Sequence, residues 1–567
     1  MMRPRQIIRR EIDESAVDAG EWPAHWPLAL RRVHVARGSH GIADALPGLA
    51  KLPPPDGLLG LPEAVALLRE AIATDRHIVV TADFDCDGAT ACAVAVRGLR
   101  MLGARRISYA VPDRMVHGYG LTPGLVESIV PMQPDLLLTV DHGIACHAGI
   151  QAAKARGWQV IVTDHHLPGE TLPAADAVVD PQRPGDTFPA KSLAGVGVLF
   201  YLLLALRIAA REAGEPAASA DLASLLDLVA VGTVADMVRL DPANRALIGA
   251  GLRRLRKGQG CAGLRALIEV SGRDAVRLTT ADIGYAIAPR INAAGRLEDM
   301  RLGIECLLGD DIATCTAQAE ALDAINRERR QMQQTMLDAA IDCPDVRDVA
   351  AIPCVADESW HPGVVGLVAS RLKEQLQRPV FAFAPAGGDE WRGSARSVPG
   401  FHLRDAIALV DARHPGLITR FGGHAMAAGL TLPRNALAAF SEAMARIATE
   451  AGDALDGREA ILSDGDLPAE ALEFSHACAL RDGGAWGQGY PEPVFDGVFS
   501  IVDWRPVGER HLRLSLERDG RRFNAMHFDG WQGEPPARSS RVAYRLVPDD
   551  WRGGEAVQLI VLHREPA

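Results

Sequence analysis

The 567-residue sequence predicts an α/β protein: a parallel-sheet domain, a second α/β domain joined to it by a long helix, and a small C-terminal β-barrel. Three observations carry that expectation. From residue 63 to about 235, short β-rich apolar runs alternate with helical segments, the signature of a parallel sheet covered on both faces. Residues 310–340 contain neither Gly nor Pro and read as one helix, a rigid connector. From about residue 495 the pattern changes to short alternating runs between Gly, Asp and Pro turns, as in an antiparallel barrel or sandwich.

Taken in order, residues 1–50 mix Pro, Trp and Arg around one apolar helical stretch near 26–36, and the LPPPDGLLGLPE run at 52–63 marks a boundary. HIVVTA (77–82), ISYAVP (107–112), LLLTV (136–140) and QVIVT (159–163) predict strands, with helices at 88–102 and near 122–130 and 145–156. Residues 193–345 are mainly helical. In the second α/β region, 352–356, 379–384 and 427–432 predict strands and 364–376 a helix. The tail runs are HLRLSL (511–516), RRFNAMHF (521–528) and VQLIVL (557–562). The expected divisions are 1–50, an N-terminal segment; 51–250, the first α/β domain; 251–345, a helical connector; 346–455, the second α/β domain; and 456–567, the barrel domain.

Composition excludes several classes. Lys+Arg number 60 against 72 Asp+Glu, a formal net charge of −12, so the chain cannot hold nucleic acid by a bulk positive field. A phosphate partner must meet a local basic patch. Of the basic residues 55 are Arg, spread along the whole chain, which points to genome composition rather than phosphate recognition. The apolar stretch at 193–206 is too short to span a membrane and reads as a buried helix. The basic N-terminus is followed by no apolar core of a signal peptide. Nine cysteines without a CxxC pair imply reduced thiols and a cytoplasmic protein. There is no GxxxxGK[ST], HExxH or GxSxG, which disfavours P-loop ATPase, zinc protease and serine hydrolase chemistry.

The informative feature is where the carboxylates fall. The first strand runs into ADFDCDG, placing Asp83, Asp85 and Asp87 within five residues. The strand at 136–140 ends in Asp141-His142-Gly143, and that at 159–163 in Asp164-His165-His166. A later apolar helix carries Asp236. In an open parallel sheet ligands bind at the carboxyl ends of the strands. A single Asp after a strand is as readily the N-cap of the next helix. Three strands delivering acids and imidazoles to one edge point further, because crowded carboxylates repel unless cations neutralise them. Mixed carboxylate and imidazole donors suit Mn²⁺ or Mg²⁺. Two such ions suit phosphoester hydrolysis.

These segments resemble the DHH phosphoesterase superfamily: ADFDCDG, the DHG at 141–143, the DHH at 164–166 and ADM at 235–237. FGGHAMAAG (421–429) is similar to the glycine-rich signature of the DHH-associated domain. RMVHGYGL (114–121), APRINAAGR (288–296), WRGSARS (391–397) and WGQGYPEP (486–493) narrow the resemblance to the single-strand-specific 5′→3′ exonuclease branch of that superfamily. It runs from about residue 25 to the C-terminus.

The resemblance implies two divalent ions, Mn²⁺ or Mg²⁺, held by Asp85, Asp87, Asp141, His165 and Asp236, with Asp141 bridging. Asp83 is a further metal candidate; Asp83, Asp164 and His166 stand beside the ions or face the substrate, and His166 joins the catalytic group. Smaller family members carry a His four residues before the first ligand Asp, where this chain has Thr81. Arg114, Arg290, Ser394, Arg396, Gly422, Gly423 and His424 are the implied substrate-binding set, the Gly-Gly-His being read as a flexible turn around the strand's 5′ end. The bland alternative for each Arg is an ordinary surface cation. The tail resembles an OB-fold that guides single strands: residues 501–567 carry 11 Arg against 10 acids, with Trp504, Phe523, Phe528, Trp531, Tyr544 and Trp551 divided between barrel core and base stacking. The implied function is two-metal hydrolysis of single-stranded DNA to 5′-mononucleotides in repair and recombination, in a groove between two α/β domains. Implied partners are single-stranded DNA, a single-strand-binding protein and a helicase, with no membrane and a monomeric state. The rivals are an oligonucleotide or cyclic-dinucleotide phosphodiesterase of the same superfamily, a DNA-binding scaffold without activity, and a pyrophosphatase.

Overall fold

The computed structural model describes residues 6–114, 116–347, 350–455, 460–531, 533–549 and 554–567. Met115 of the RMVHGYGL segment and Trp551 of the tail lie outside them.

The first sheet has five parallel strands: β1 (Ile78–Ala82), β2 (Ile107–Ala110), β3 (Leu136–Val140), β4 (Gln159–Thr163) and β5 (Ala177–Val179). Their spatial order is β2-β1-β3-β4-β5. β1 and β3 are buried at every position, as both-face coverage demands. β5 is a strand the sequence reading missed; three residues give too short a run to register. The chain leaves β1 in one direction along the sheet and returns to β3 on its other side. That reversal is a topological switch point, where the carboxyl ends splay open and leave room for a ligand.

Helix α1 (Cys86–Met101) follows β1, with Asp85 as its N-cap accepting from Gly88 N–H at 3.0 Å. Its Ala-rich surface is buried nearly throughout, packed against α2 (Gly195–Glu212) and α3 (Leu226–Ala235). Small side chains allow that close approach. Helix α4 (Ala288–Leu297) extends from a five-residue π-helical turn, Ile283–Ile287, and the connector α5 runs Ile312–Ile341.

By compactness the chain groups into two units: residues 7–323 with 462–567, and residues 324–461 with residue 6. The boundary falls within α5, and the barrel belongs to the larger unit.

The smaller unit holds a mixed sheet ordered β9-β10-β8-β7-β6, from β6 (Cys354–Ala356), β7 (Val380–Pro385), β8 (Glu390–Arg396), β9 (Arg420–Gly423) and β10 (Ala427–Pro433), with α6 (Val365–Leu376) packed on it. Only β6 and β7 are parallel. The flexible turn expected at Gly422-Gly423 is not what these residues form. Both glycines are paired strand residues, Gly422 with Gly429 and Gly423 with Ala428, and the hairpin turns only after them. Gly423 has φ +134°, and a Cβ there would sit 2.5 Å from the Ala427 carbonyl oxygen, so glycine serves the closeness of the crossing.

The tail closes into a five-stranded barrel, β11 (Phe495–Val507), β12 (His511–Arg518), β13 (Arg521–His527), β14 (Ser539–Pro548) and β15 (Val557–Pro566). The order is β11-β12-β13-β15-β14, with β13 and β15 parallel. Phe523 and Tyr544 are buried in it, Trp504 and Trp531 stack half-buried at 5.5 Å, and Phe528 is exposed.

Candidate metal centre

Three strand ends and one helix end build the site. The carboxyl end of β1 supplies Asp83, Asp85 and Asp87; β3 supplies Asp141, β4 supplies His165 and His166, and Asp236 ends α3. β1 and β3 straddle the switch point, so their acids meet by topology. Ligand atoms of Asp83, Asp85 and Asp141 lie within 4.8 Å of one another, as do those of Asp87, His165 and Asp236. Between them these two sets hold the six residues expected as metal ligands. A third set joins Asp141 to His165 and His166.

The donors are aimed by their surroundings. Asp141 takes φ +63°, an uncommon backbone for a residue with a side chain. Gly195 at the start of α2 is pressed against it: a Cβ there would lie 2.6 Å from Asp141 Cβ. The backbone N–H groups of Gly195 and Val196 donate to Asp87 Oδ2 and Oδ1 at 2.7 and 3.1 Å, so a helix N-terminus orients that carboxylate. Gly232 of α3 leaves room on its other side, since a Cβ there would meet Asp87 Oδ1 at 2.7 Å. Asn292 of α4 holds the loop after β1, accepting from Cys86 N–H at 2.9 Å.

Asp164 anchors rather than ligates. It accepts from His165 N–H, His166 N–H, Ile144 N–H and His166 Nδ1 at 2.7 to 3.2 Å. Burial works against its ionisation, but the His166 hydrogen bond, the His166 charge and Ile144 bring it down to about 2. Burial likewise opposes protonation of His166, yet Asp164 and the neighbouring acids raise it to about 9. His165 goes the other way: burial, with His166 adding, lowers it to about 4.

Four further acids move up, mainly through burial and then through neighbouring carboxylates. Asp83 is pushed to about 8, Asp87 to about 7 and Asp236 to about 9, and Asp141 is raised well above the usual carboxylate range. Among the described residues, Asp83 Oδ1, Asp141 Oδ1 and His165 Nε2 are buried without a hydrogen-bond partner. His165 Nε2 and Asp141 Oδ1 face each other at 3.2 Å. Such orphaned acceptors are costly unless a cation satisfies them, and carboxylate with neutral imidazole is the donor set Mn²⁺ or Mg²⁺ takes. The residues present therefore fit two divalent ions.

Arg114 lies 4.0 Å above the Phe84 ring and near enough to Asp83 to favour its ionised form. Tyr119, which the sequence reading did not single out, packs edge-on to Phe84 and His166. Asp180, also missed, follows β5 as the other acids follow their strands; its run VVD was the available signal. It is buried, accepts from Gln182 N–H, and is raised to about 8 by burial. Arg290 is buried on α4 and pairs with Asp323 at 2.8 Å. Ser394 and Arg396 sit on one face of β8, opposite Gly429 and Ala427 of β10. A Cβ at Gly366 of α6 would meet Arg396 Nη2 at 3.3 Å and Ser394 Oγ at 3.5 Å, so α6 lies over both. His424 N–H donates to the Ala427 carbonyl at 2.8 Å, closing the hairpin beyond Gly422 and Gly423.

Parallel sheet, switch-point acids and associated domain define a class, and family models agree with it. The DHH family N-terminal domain matches residues 77–233, the DHHA1 domain 348–450 and the RecJ OB domain 463–563. The single-stranded-DNA-specific exonuclease RecJ of Dickeya dadantii is 45% identical over 99% of both chains, and that of Escherichia coli 42% over 99% of both. The crystal structure of RecJ in complex with Mn²⁺ from Thermus thermophilus superposes with TM-score 0.81 at 31% identity, covering 99% of this chain and 79% of that one. The corresponding Mg²⁺ complex gives 0.77 at 29%, covering 99% and 78%. The chain belongs to the RecJ family of DHH phosphoesterases.

Proposed function

We propose that the protein is a metal-dependent exonuclease specific for single-stranded DNA, acting 5′→3′ and releasing 5′-mononucleotides in DNA repair and recombination. The observation that carries this reading is the gathering of Asp83, Asp85, Asp87, Asp141, His165 and Asp236 at the switch point of a RecJ-family chain. These six residues hold two Mn²⁺ or Mg²⁺ ions. Bound there, the ions supply a water made acidic enough to attack at neutral pH and offset charge on the scissile phosphate. The chain's own groups do the rest. α2 orients Asp87 through its N-terminal N–H groups, and Asp164 fixes the His166 ring through Nδ1. His166 holds a proton for the leaving 3′ oxygen as water adds to phosphorus and the P–O3′ bond breaks. Arg114, Arg290, Ser394, Arg396, Gly422, Gly423 and His424 are assigned to the substrate's phosphates, Arg and backbone N–H being suited to them.

The closed barrel supports binding of single-stranded DNA. Among the described residues no helix is long and apolar enough to cross a membrane. Family membership supports a single-strand-binding protein and a helicase as partners and a monomeric state. Nine cysteines outside any disulfide support a cytoplasmic location. Digestion of strands labelled at either end, single or duplex, with Mn²⁺ or Mg²⁺ tests the reading. Mononucleotides released first from the 5′ end of single strands are expected; release from the 3′ end, or equal cleavage of dinucleotides and long strands, overturns it.

A further inference from the structure

Tyr285 is 85% exposed, and a lone exposed ring needs no explanation by itself. Its setting does. It belongs to the π-helical turn Ile283–Ile287, whose Ile283, Ala286 and Ile287 are buried, so the turn is anchored and only this ring is turned outward. Single π turns recur at functional sites because the extra residue per turn re-aims a side chain. The adjacent Gly284 lies against α3: a Cβ there would be 3.7 Å from Val234, two residues before Asp236. On the far side of Asp236, Met237 takes φ +60° and is 73% exposed.

A second, independent tie fixes the same turn to the metal loop. It continues into α4, where Asn292 receives the Cys86 N–H and Gly295 packs so closely that a Cβ would meet the Phe84 carbonyl oxygen at 1.9 Å. Tyr285 precedes Asn292 by seven residues, roughly 10 Å along a helix. The backbone that carries this ring is thus anchored to the metal loop and to α3, while the ring itself faces solvent.

A site that grips a phosphodiester leaves the bases of the strand to be placed elsewhere. An aromatic face accepts any base, which suits an enzyme that must advance through every sequence. We infer that Tyr285 is a base-stacking platform for single-stranded DNA, taking a base within the first few nucleotides of the scissile bond. This rests on the exonuclease reading above.

The test measures oligo(dT) binding in EDTA alongside Mn²⁺-dependent hydrolysis by the unsubstituted protein. Tyr285→Ala is expected to weaken binding roughly tenfold, and Tyr285→Phe, which keeps the ring, to restore it. An abasic nucleotide scanned along the strand should cost the unsubstituted protein a similar factor at one position and Tyr285→Ala nothing there. Tyr285→Trp should show fluorescence quenched by the strand. Tight binding by Tyr285→Ala, an abasic profile identical in both proteins, or an unquenched Trp overturns the inference. Absence of single-strand hydrolysis by the unsubstituted protein sinks the exonuclease reading instead, so the two failures are distinguishable.

Discussion

Asp87 and Asp164 follow the strands that flank β3 and are both buried, yet their surroundings drive them apart. Asp164 accepts from a cationic imidazole and three backbone N–H groups and stays ionised. Asp87 accepts two N–H groups but faces Asp85, and rises to about 7. The rise in Asp83, Asp87, Asp141 and Asp236 has a consequence for stability. In metal-free protein these groups bind protons that the unfolded chain has already released, so stability falls as pH rises. His166, raised to about 9, acts in the same direction. His165, held near 4, opposes only below about pH 6.5, where an unfolded His titrates. Thermal midpoints in EDTA are therefore expected to fall between pH 7 and 9, and Mn²⁺ to restore them by an amount that grows with pH. A flat metal-free profile would contradict the raising of these acids by burial and mutual repulsion. Asp141→Asn removes one acid from the cluster. It should melt at or above the unsubstituted protein in EDTA, gain no more than a small increment from Mn²⁺, and lose nuclease activity by at least about a thousandfold, as expected when metal-assisted chemistry is removed.

At the scale of elements, helix packing sets the site as much as its acids do. α2 and α3 approach the ligands through Gly195 and Gly232, and neither position has room for a methyl group. Gly195→Ala should leave far-UV circular dichroism unchanged but shift Asp141 or α2 by several tenths of an ångström. Mn²⁺ affinity, followed by calorimetry, is expected to drop at least about tenfold, since metal donors tolerate little displacement. Unaltered affinity would mean that the α2 contact does not position Asp141. In the smaller unit, alternation along β8 puts Arg392, Ser394 and Arg396 on one face, a pattern in which charged residues disguise a strand.

The larger unit is held together by an aromatic series. Trp22, Trp26, His34, Trp486 and Tyr490 stack at successive centroid distances of 5.9, 5.1, 5.2 and 5.5 Å. His34 bonds Tyr490 Oη at 2.7 Å and the Gly483 carbonyl at 3.0 Å, and burial lowers it to about 3, so it is neutral. Thr280 Oγ1 donates to the Trp486 carbonyl at 2.6 Å, and Arg37 pairs with Asp464 at 2.8 Å. The N-terminal segment and Thr280 thereby both hold the segment at 464–490 that leads into the barrel. Trp486→Ala is expected to cost about 3–5 kcal/mol, read as a lowered melting midpoint and as new proteolytic cleavage near 483–493. Net charge bears on the molecule as a whole. At −12, with many Arg already paired to acids, few phosphates can be neutralised by side chains. The logarithmic salt slope for oligo(dT) binding should be shallower than about −4, and a slope near −10 would reveal a basic track.

Periodicity determined much by itself: β3 and β4 occupy the residues expected of them, and the connector helix spans 312–341 against the expected 310–340. The acids were legible because each follows an apolar strand, and a parallel sheet sends all such ends to one edge. Tertiary structure decided what spacing cannot express. It made Asp164 an anchor rather than a ligand, paired Arg290 with Asp323, and turned Gly422-Gly423 from a loop into a strand. It brought Gly195, Gly232 and Asn292 to the acids and their loop from 54 to 206 residues away along the chain. The physical reason is that a residue's type and its place in a strand or helix are local, whereas its charge state and freedom to bind depend on which distant backbone presses against it.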